Sequence, residues 1–193
     1  VATESALSTK TGLQTALNGA YRQLAAHWFY GDRLPIYAEL KGEDMQNVTT
    51  SSRCYGYYSF THTADEQDLY EVWDLGYRII HYANNIIGSI DANFDIKDPE
   101  IAEIRSEALA IRALSLFQLT NIFGKAYTIS PSALGVCIVT EDDALDYVPA
   151  MSTVADCYAQ VTSEVKEAIS GGPPTVKTNG YINKWTAEGI LSS

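Results

Sequence analysis

Apolar residues recur along this chain with helical rather than strand spacing. Leu13, Ala16, Leu17, Ala20, Tyr21 and Leu24 fall at i, i+3, i+4, i+7, i+8 and i+11, one stripe of a helix from about Thr11 to Ala26. Leu69, Val72, Trp73, Gly76, Ile80, Ala83, Ile87 and Ile90 mark a second helix from about Glu66 to Ile90, with Asp65 as its expected N-cap and Asp68 in the first turn. A third helix opens on Asp98 as cap and Pro99 at the first helical position, and Gly124 ends it. Its stretch SEALAIRALSLFQLTNIFGKAY (Ser106 to Tyr127) is apolar on nearly every side. A fourth runs from Ser152 as expected N-cap to about Ser170, with Val154, Cys157, Tyr158, Val161, Val165, Ala168 and Ile169 as its stripe. A fifth starts near Asn183 and carries Trp185, Ala187, Ile190 and Leu191.

Between the first two helices lies a long stretch, about His27 to Ala64, rich in Gly, Ser, Thr and Tyr, with a short helix or turn around Pro35 to Leu40. Loops of this length are uncommon in compact domains and are functional or disordered; the aromatics Tyr37, Tyr55, Tyr57, Tyr58 and Phe60 argue for order. Leu134 to Thr140 reads as extended, and an acidic connection follows it. The predicted fold is therefore all-α: antiparallel helix pairs stacked side by side, with a long ordered loop after the first helix. The A-x3-F element of tetratricopeptide repeats is present as Ala113 and Phe117.

Charge narrows the functions available. A net charge of −11 argues against nucleic acid, which needs clustered Lys and Arg, and against electrostatic docking on anionic lipid. The longest uncharged run of the third helix, Ala113 to Gly124, is far short of the roughly 20 residues that span a bilayer. Arg112 sits inside that helix, and a guanidinium in a core needs a partner, so it is expected to reach a carboxylate or free carbonyls on a neighbouring element. Cys54, Cys137 and Cys157 have no zinc spacing, and Cys157 is read as a small core residue. His27, His62 and His81 are scattered; His62 with Asp65 and Glu66 is read as solvated loop, so no metal and no cofactor is expected. Glu43 and Asp44, or Asp65 and Glu66, are adjacent acids in a chain with 24 of them, and no defined catalytic pair emerges.

Several segments together resemble the SusD/RagB family. LQTALNGAYRQL (Leu13 to Leu24) is similar to its first helix. VWDLGYRIIHYANNIIGSI resembles its W-x3-Y-x2-I-x3-N-x-I-I helix through Trp73, Tyr77, Ile80, Asn84, Ile86 and Ile87. Ala102 to Tyr127 resembles its most recognisable segment, with Glu107, Ala108, Arg112, Ala113, Phe117, Leu119, Phe123, Gly124 and Tyr127 in place. LGVCIVT stands where the family has lGvPlv, with Cys137 for the usual Pro, and STVADCYAQVTSEVKEAI and GYINKWTAEGIL follow in order.

The resemblance implies a non-catalytic cell-surface lipoprotein of the Gram-negative outer membrane. Such a protein captures glycans or other nutrients for a SusC-like TonB-dependent transporter. It also implies that residues 1–193 form a single helical domain, the N-terminal portion of a longer protein, with membrane attachment only through an N-terminal lipid anchor outside this sequence. Ligand would be held by loop aromatics and polar groups above the scaffold. The matching residues are Tyr55, Tyr57 and Tyr58 as platforms and Asp44, Asn47 and Arg53 as hydrogen-bonding groups. The competing expectation is that these tyrosines tether the loop to the scaffold. Two other functions stand beside the first: a helical-repeat scaffold for protein partners, and a glycan-active enzyme using Glu43 or Asp44.

Overall fold

The computed structural model describes residues 6–42, 44–63, 65–141, 143, 148–172 and 180–192. Their helices are α1 (Lys10–Leu24), α2 (Arg33–Lys41), α3 (Tyr55–Tyr58), α4 (Gln67–Asn93), α5 (Pro99–Phe123), α6 (Val154–Ser170) and α7 (Lys184–Ser192). Two short strands, β1 (Leu134–Cys137) and β2 (Met151–Thr153), pair antiparallel with an irregular register. The architecture is predominantly helical, as the periodicity predicts. α5 packs against α4 on one side and α6 on the other, α1 lies against α4 and α5, and α7 lies against α6.

Helix starts follow from local chemistry. Thr9 caps α1, its hydroxyl accepting from Gly12 N at 3.1 Å. Asp98 caps α5, accepting from Glu100 N at 3.1 Å, with Pro99 where no partner for an N–H exists. Two expected caps move by one residue. α4 begins after Glu66, which makes no side-chain cap bond, and the Asp65 carboxylate bonds Thr63 instead. α6 begins after Thr153, not Ser152: Thr153 Oγ1 accepts from Asp156 N at 3.1 Å while the Asp156 carboxylate reaches back to the Thr153 N–H, closing a capping box. Gly124 ends α5 with extended backbone (φ −92°, ψ 170°). Its lack of a side chain is needed for close approach, because a Cβ there would sit 2.6 Å from the Thr120 carbonyl oxygen.

α5 is apolar all round because it has neighbours all round. Every residue from Ser106 to Ala113 is buried. No helix among the described residues is long and apolar enough to cross a membrane. Arg112 has the partners its burial demands: Nη1 donates to Asn84 Oδ1 of α4 at 2.9 Å and to Glu141, and Nε lies 3.0 Å from Glu164 Oε1 of α6. Burial works against this charge, but Glu164 and Glu141 outweigh it and raise the guanidinium pKa. Burial also raises the Glu164 carboxyl, against the pull of Arg112. Asn84 Nδ2 donates to Val139 O at 3.2 Å, so the same cluster fastens the segment after β1 onto the helices. Tyr77 acts in parallel: its hydroxyl donates to Cys137 O at 2.9 Å and accepts from Cys137 N at 2.8 Å. Cys157 is fully buried in the core.

Candidate ligand-binding loop

The stretch between α1 and α4 is more structured than the word loop implies, since α2 and α3 interrupt it. Pro35 fits in α2 because it occupies the first turn, where N–H groups have no intrahelical partner. Leu34, Tyr37 and Leu40 form the buried side of α2. Tyr37 then anchors the whole stretch to α4: its hydroxyl donates to the buried Asp68 carboxylate. Burial, then Asp68, raises the Tyr37 hydroxyl pKa, so it stays a donor.

Tyr37 is the base of a ring stack. Tyr57 lies on it with centroids 4.1 Å apart at 23°, and His62 lies beyond Tyr57 at 5.1 Å and 23°. Burial pushes the Tyr57 hydroxyl up to about 12, with Asp68 and Glu66 adding to the shift. His62 Nε2 is 3.2 Å from Lys41 Nζ. An ammonium has no lone pair, so in this contact Lys41 donates and His62 Nε2 accepts. His62 is thus a packing residue, not the solvated loop residue that its neighbours Asp65 and Glu66 imply. No cluster of three His, Cys, Asp or Glu suited to a metal occurs among the described residues.

The six expected ligand residues separate by direction. Tyr57 is 2% exposed with Tyr37 and His62 on its faces, so it cannot serve as the sugar platform assigned to it and instead braces the loop. Tyr55 and Tyr58 lie three apart on α3, share a side of its single turn and are half-buried. Arg53 is exposed in the turn before α3. Asp44 is exposed and Asn47 half-buried on the connection from α2, where Asn47 Nδ2 donates to Thr49 O at 2.9 Å. Glu43, the other acid of the enzymatic alternative, lies outside the described residues.

Phe60, two residues after Tyr58, was not among the expected ligand residues. It is 64% exposed and holds a left-handed backbone (φ 56°), a conformation unusual for an aromatic residue. Only its setting next to the tyrosines marked it in the sequence; nothing there signals the backbone.

With this geometry in view, comparison with known proteins is decisive. A family model, SusD-like, described as starch-binding and associating with the outer membrane, matches residues 2–193. The chain belongs to the SusD-like family. A SusD superfamily protein of Bacteroides thetaiotaomicron has 36% sequence identity and superposes with a TM-score of 0.85, over 95% of this chain and 41% of that one. A SusD superfamily protein of Bacteroides vulgatus gives 28% identity and a TM-score of 0.87, over 95% of this chain and 42% of that one. SusD-like protein P2 of Formosa agariphila is 26% identical over all of this chain and 37% of its own length. This SusD-like chain therefore spans about two fifths of the length of these relatives.

Proposed function

We propose that this SusD-like chain belongs to a non-catalytic binding protein of the outer membrane, held at the cell surface by a lipid anchor, which captures glycan and passes it to a SusC-like TonB-dependent transporter. The observation that carries the reading is the match of residues 2–193 to a family described as starch-binding and associating with the outer membrane. In this reading the ligand surface is formed by Tyr55 and Tyr58 with Asp44, Asn47 and Arg53, and Phe60 joins it. Aromatic faces receive sugar C–H groups, and the polar side chains satisfy hydroxyls. Tyr57 supports the surface from below.

A glycan-binding screen on the protein, repeated with two variants, tests this. Tyr55→Ala/Tyr58→Ala should weaken binding at least tenfold, whereas Tyr57→Phe, which keeps the stack, should bind like the parent. Unchanged binding by the double variant would remove the site, and turnover of any oligosaccharide would remove the non-catalytic reading.

A further inference from the structure

A cleft lies between α1 and α4, and no residue of the tyrosine loop is among its lining. Its volume is about 630 Å³, within the roughly 300–1,000 Å³ typical of small-molecule sites. Ala16 and Ile86 give it apolar walls, and Tyr82 from α4 adds a ring that is 37% exposed. Polar groups stand toward both ends: Arg22 and Gln23 from the last turn of α1 at one, and Asn85 from α4 toward the other, where Ser89 Oγ bonds Leu7 O at 3.1 Å. Asn85 Nδ2 lies 3.0 Å from His81 Nε2, which fixes the orientation of its amide.

The charge pattern selects the ligand. Among the described residues, Arg22 makes no ion pair and no carboxylate lines the cleft. A protein of net charge −11 repels polyanions at long range, so a cleft whose one charged group among the described lining residues is an unpaired arginine is a local reversal of sign. A guanidinium matches a carboxylate through two parallel N–H donors. The tyrosine ring suits the C–H face of a pyranose, and the two amides, standing toward opposite ends, suit hydroxyls of successive sugar units.

We infer that the α1–α4 cleft is a second carbohydrate subsite, taking an acidic sugar unit whose carboxylate meets Arg22 and whose ring lies on Tyr82. The inference deepens the glycan-binding reading but uses none of the loop residues, so the two can fail separately.

The test is NMR titration of the full 15N-labelled chain with a galacturonate trimer, and with the same trimer methyl-esterified as a neutral control. Amide shifts should centre on Gln23, Tyr82 and Asn85, and esterification should weaken binding about tenfold, the loss of one charge-assisted pair. Arg22→Gln should erase the preference for the acid, and Tyr82→Ala should weaken both forms. Shifts confined to residues 44–63, an acid preference that survives Arg22→Gln, or no perturbation would each overturn the cleft. The first of these leaves the glycan-binding reading standing. Uronate shifts in the cleft, with no glycan held by the tyrosine loop, would support the cleft and remove the loop site.

Discussion

Replacing Arg112 with Met tests the keystone of the scaffold. The side chains of Arg112 and Glu164 are 5% exposed and that of Glu141 18% exposed, so water cannot replace the guanidinium well. Breaking one partner out of a buried pair costs about 3–5 kcal/mol, because the remaining charge is left uncompensated. Gln160 Nε2 still donates to Glu164 Oε1 at 2.6 Å, which places the expected loss near the lower end, about 3 kcal/mol at pH 7. Urea unfolding followed by circular dichroism would show this as a lower midpoint with an unchanged slope. The pH dependence carries the sharper test. Burial already raises the Glu164 carboxyl, and Arg112 opposes that shift. Without Arg112 the folded-state pKa rises further above its unfolded value. Such a group contributes stability below its unfolded pKa and loses it as pH rises through the folded pKa. The variant's deficit should therefore be small near pH 4 and grow toward pH 8, and adding Glu164→Gln should flatten that growth. A deficit under about 0.5 kcal/mol at pH 7, or one that does not vary with pH, would refute the buried-charge argument.

Two further substitutions probe helix packing and loop anchoring. A Cβ at Gly76 would meet the Leu119 side chain at 2.7 Å, so Gly76→Ala forces the α4–α5 contact apart. Overpacking of about 1–3 kcal/mol should exceed the roughly 1 kcal/mol that Ala gains in a helix, and a lower thermal midpoint checks the sign. Tyr37→Phe removes the donor to buried Asp68, and about 1–3 kcal/mol of stability should go with it. Limited proteolysis should then cut faster between residues 44 and 63, whereas an unchanged rate would show that Tyr37 is not the anchor.

The five long or terminal helices were legible because each has an apolar stripe or a strong punctuation signal, and those depend on nearest neighbours in sequence. Asp98 with Pro99 is such a signal, and the structure uses it. Caps failed where two candidates stood side by side. Ser152 and Thr153 are equivalent by residue type, but only Thr153 has an acid three residues on, at Asp156, to close the box. Asp65 lost to its bond with Thr63, which is local but has no periodicity. The helix α2 was visible only as a tendency around Pro35, and β2 was not visible, because three residues pair only when β1 is brought alongside. Arg112 shows the opposite case: a charge inside an apolar helix called for a carboxylate or free carbonyls, and the structure supplies carboxylates, although nothing in the sequence could name Glu141 and Glu164.

Direction is what the proposed binding residues withheld. Tyr55, Tyr57 and Tyr58 are alike in composition and adjacent in sequence, yet one turn of helix turns Tyr57 inward between Tyr37 and His62 and leaves the other two half-buried. A four-residue helix has too few positions for an apolar stripe, so the inward member is chosen by partners far along the chain: Tyr37 at one face, and Asp68 through Tyr37. The α1–α4 cleft follows the same rule at longer range. Arg22 and Gln23 close a helix in the ordinary way, and Tyr82 lies on the outer side of a strongly amphipathic one. Each looks like unremarkable surface until α1 is laid against α4. A cluster of aromatic residues in one segment therefore marks where a chain is ordered more dependably than where it binds, and sites assembled across helices have to be sought where an unpaired charge and an exposed ring share a concave surface.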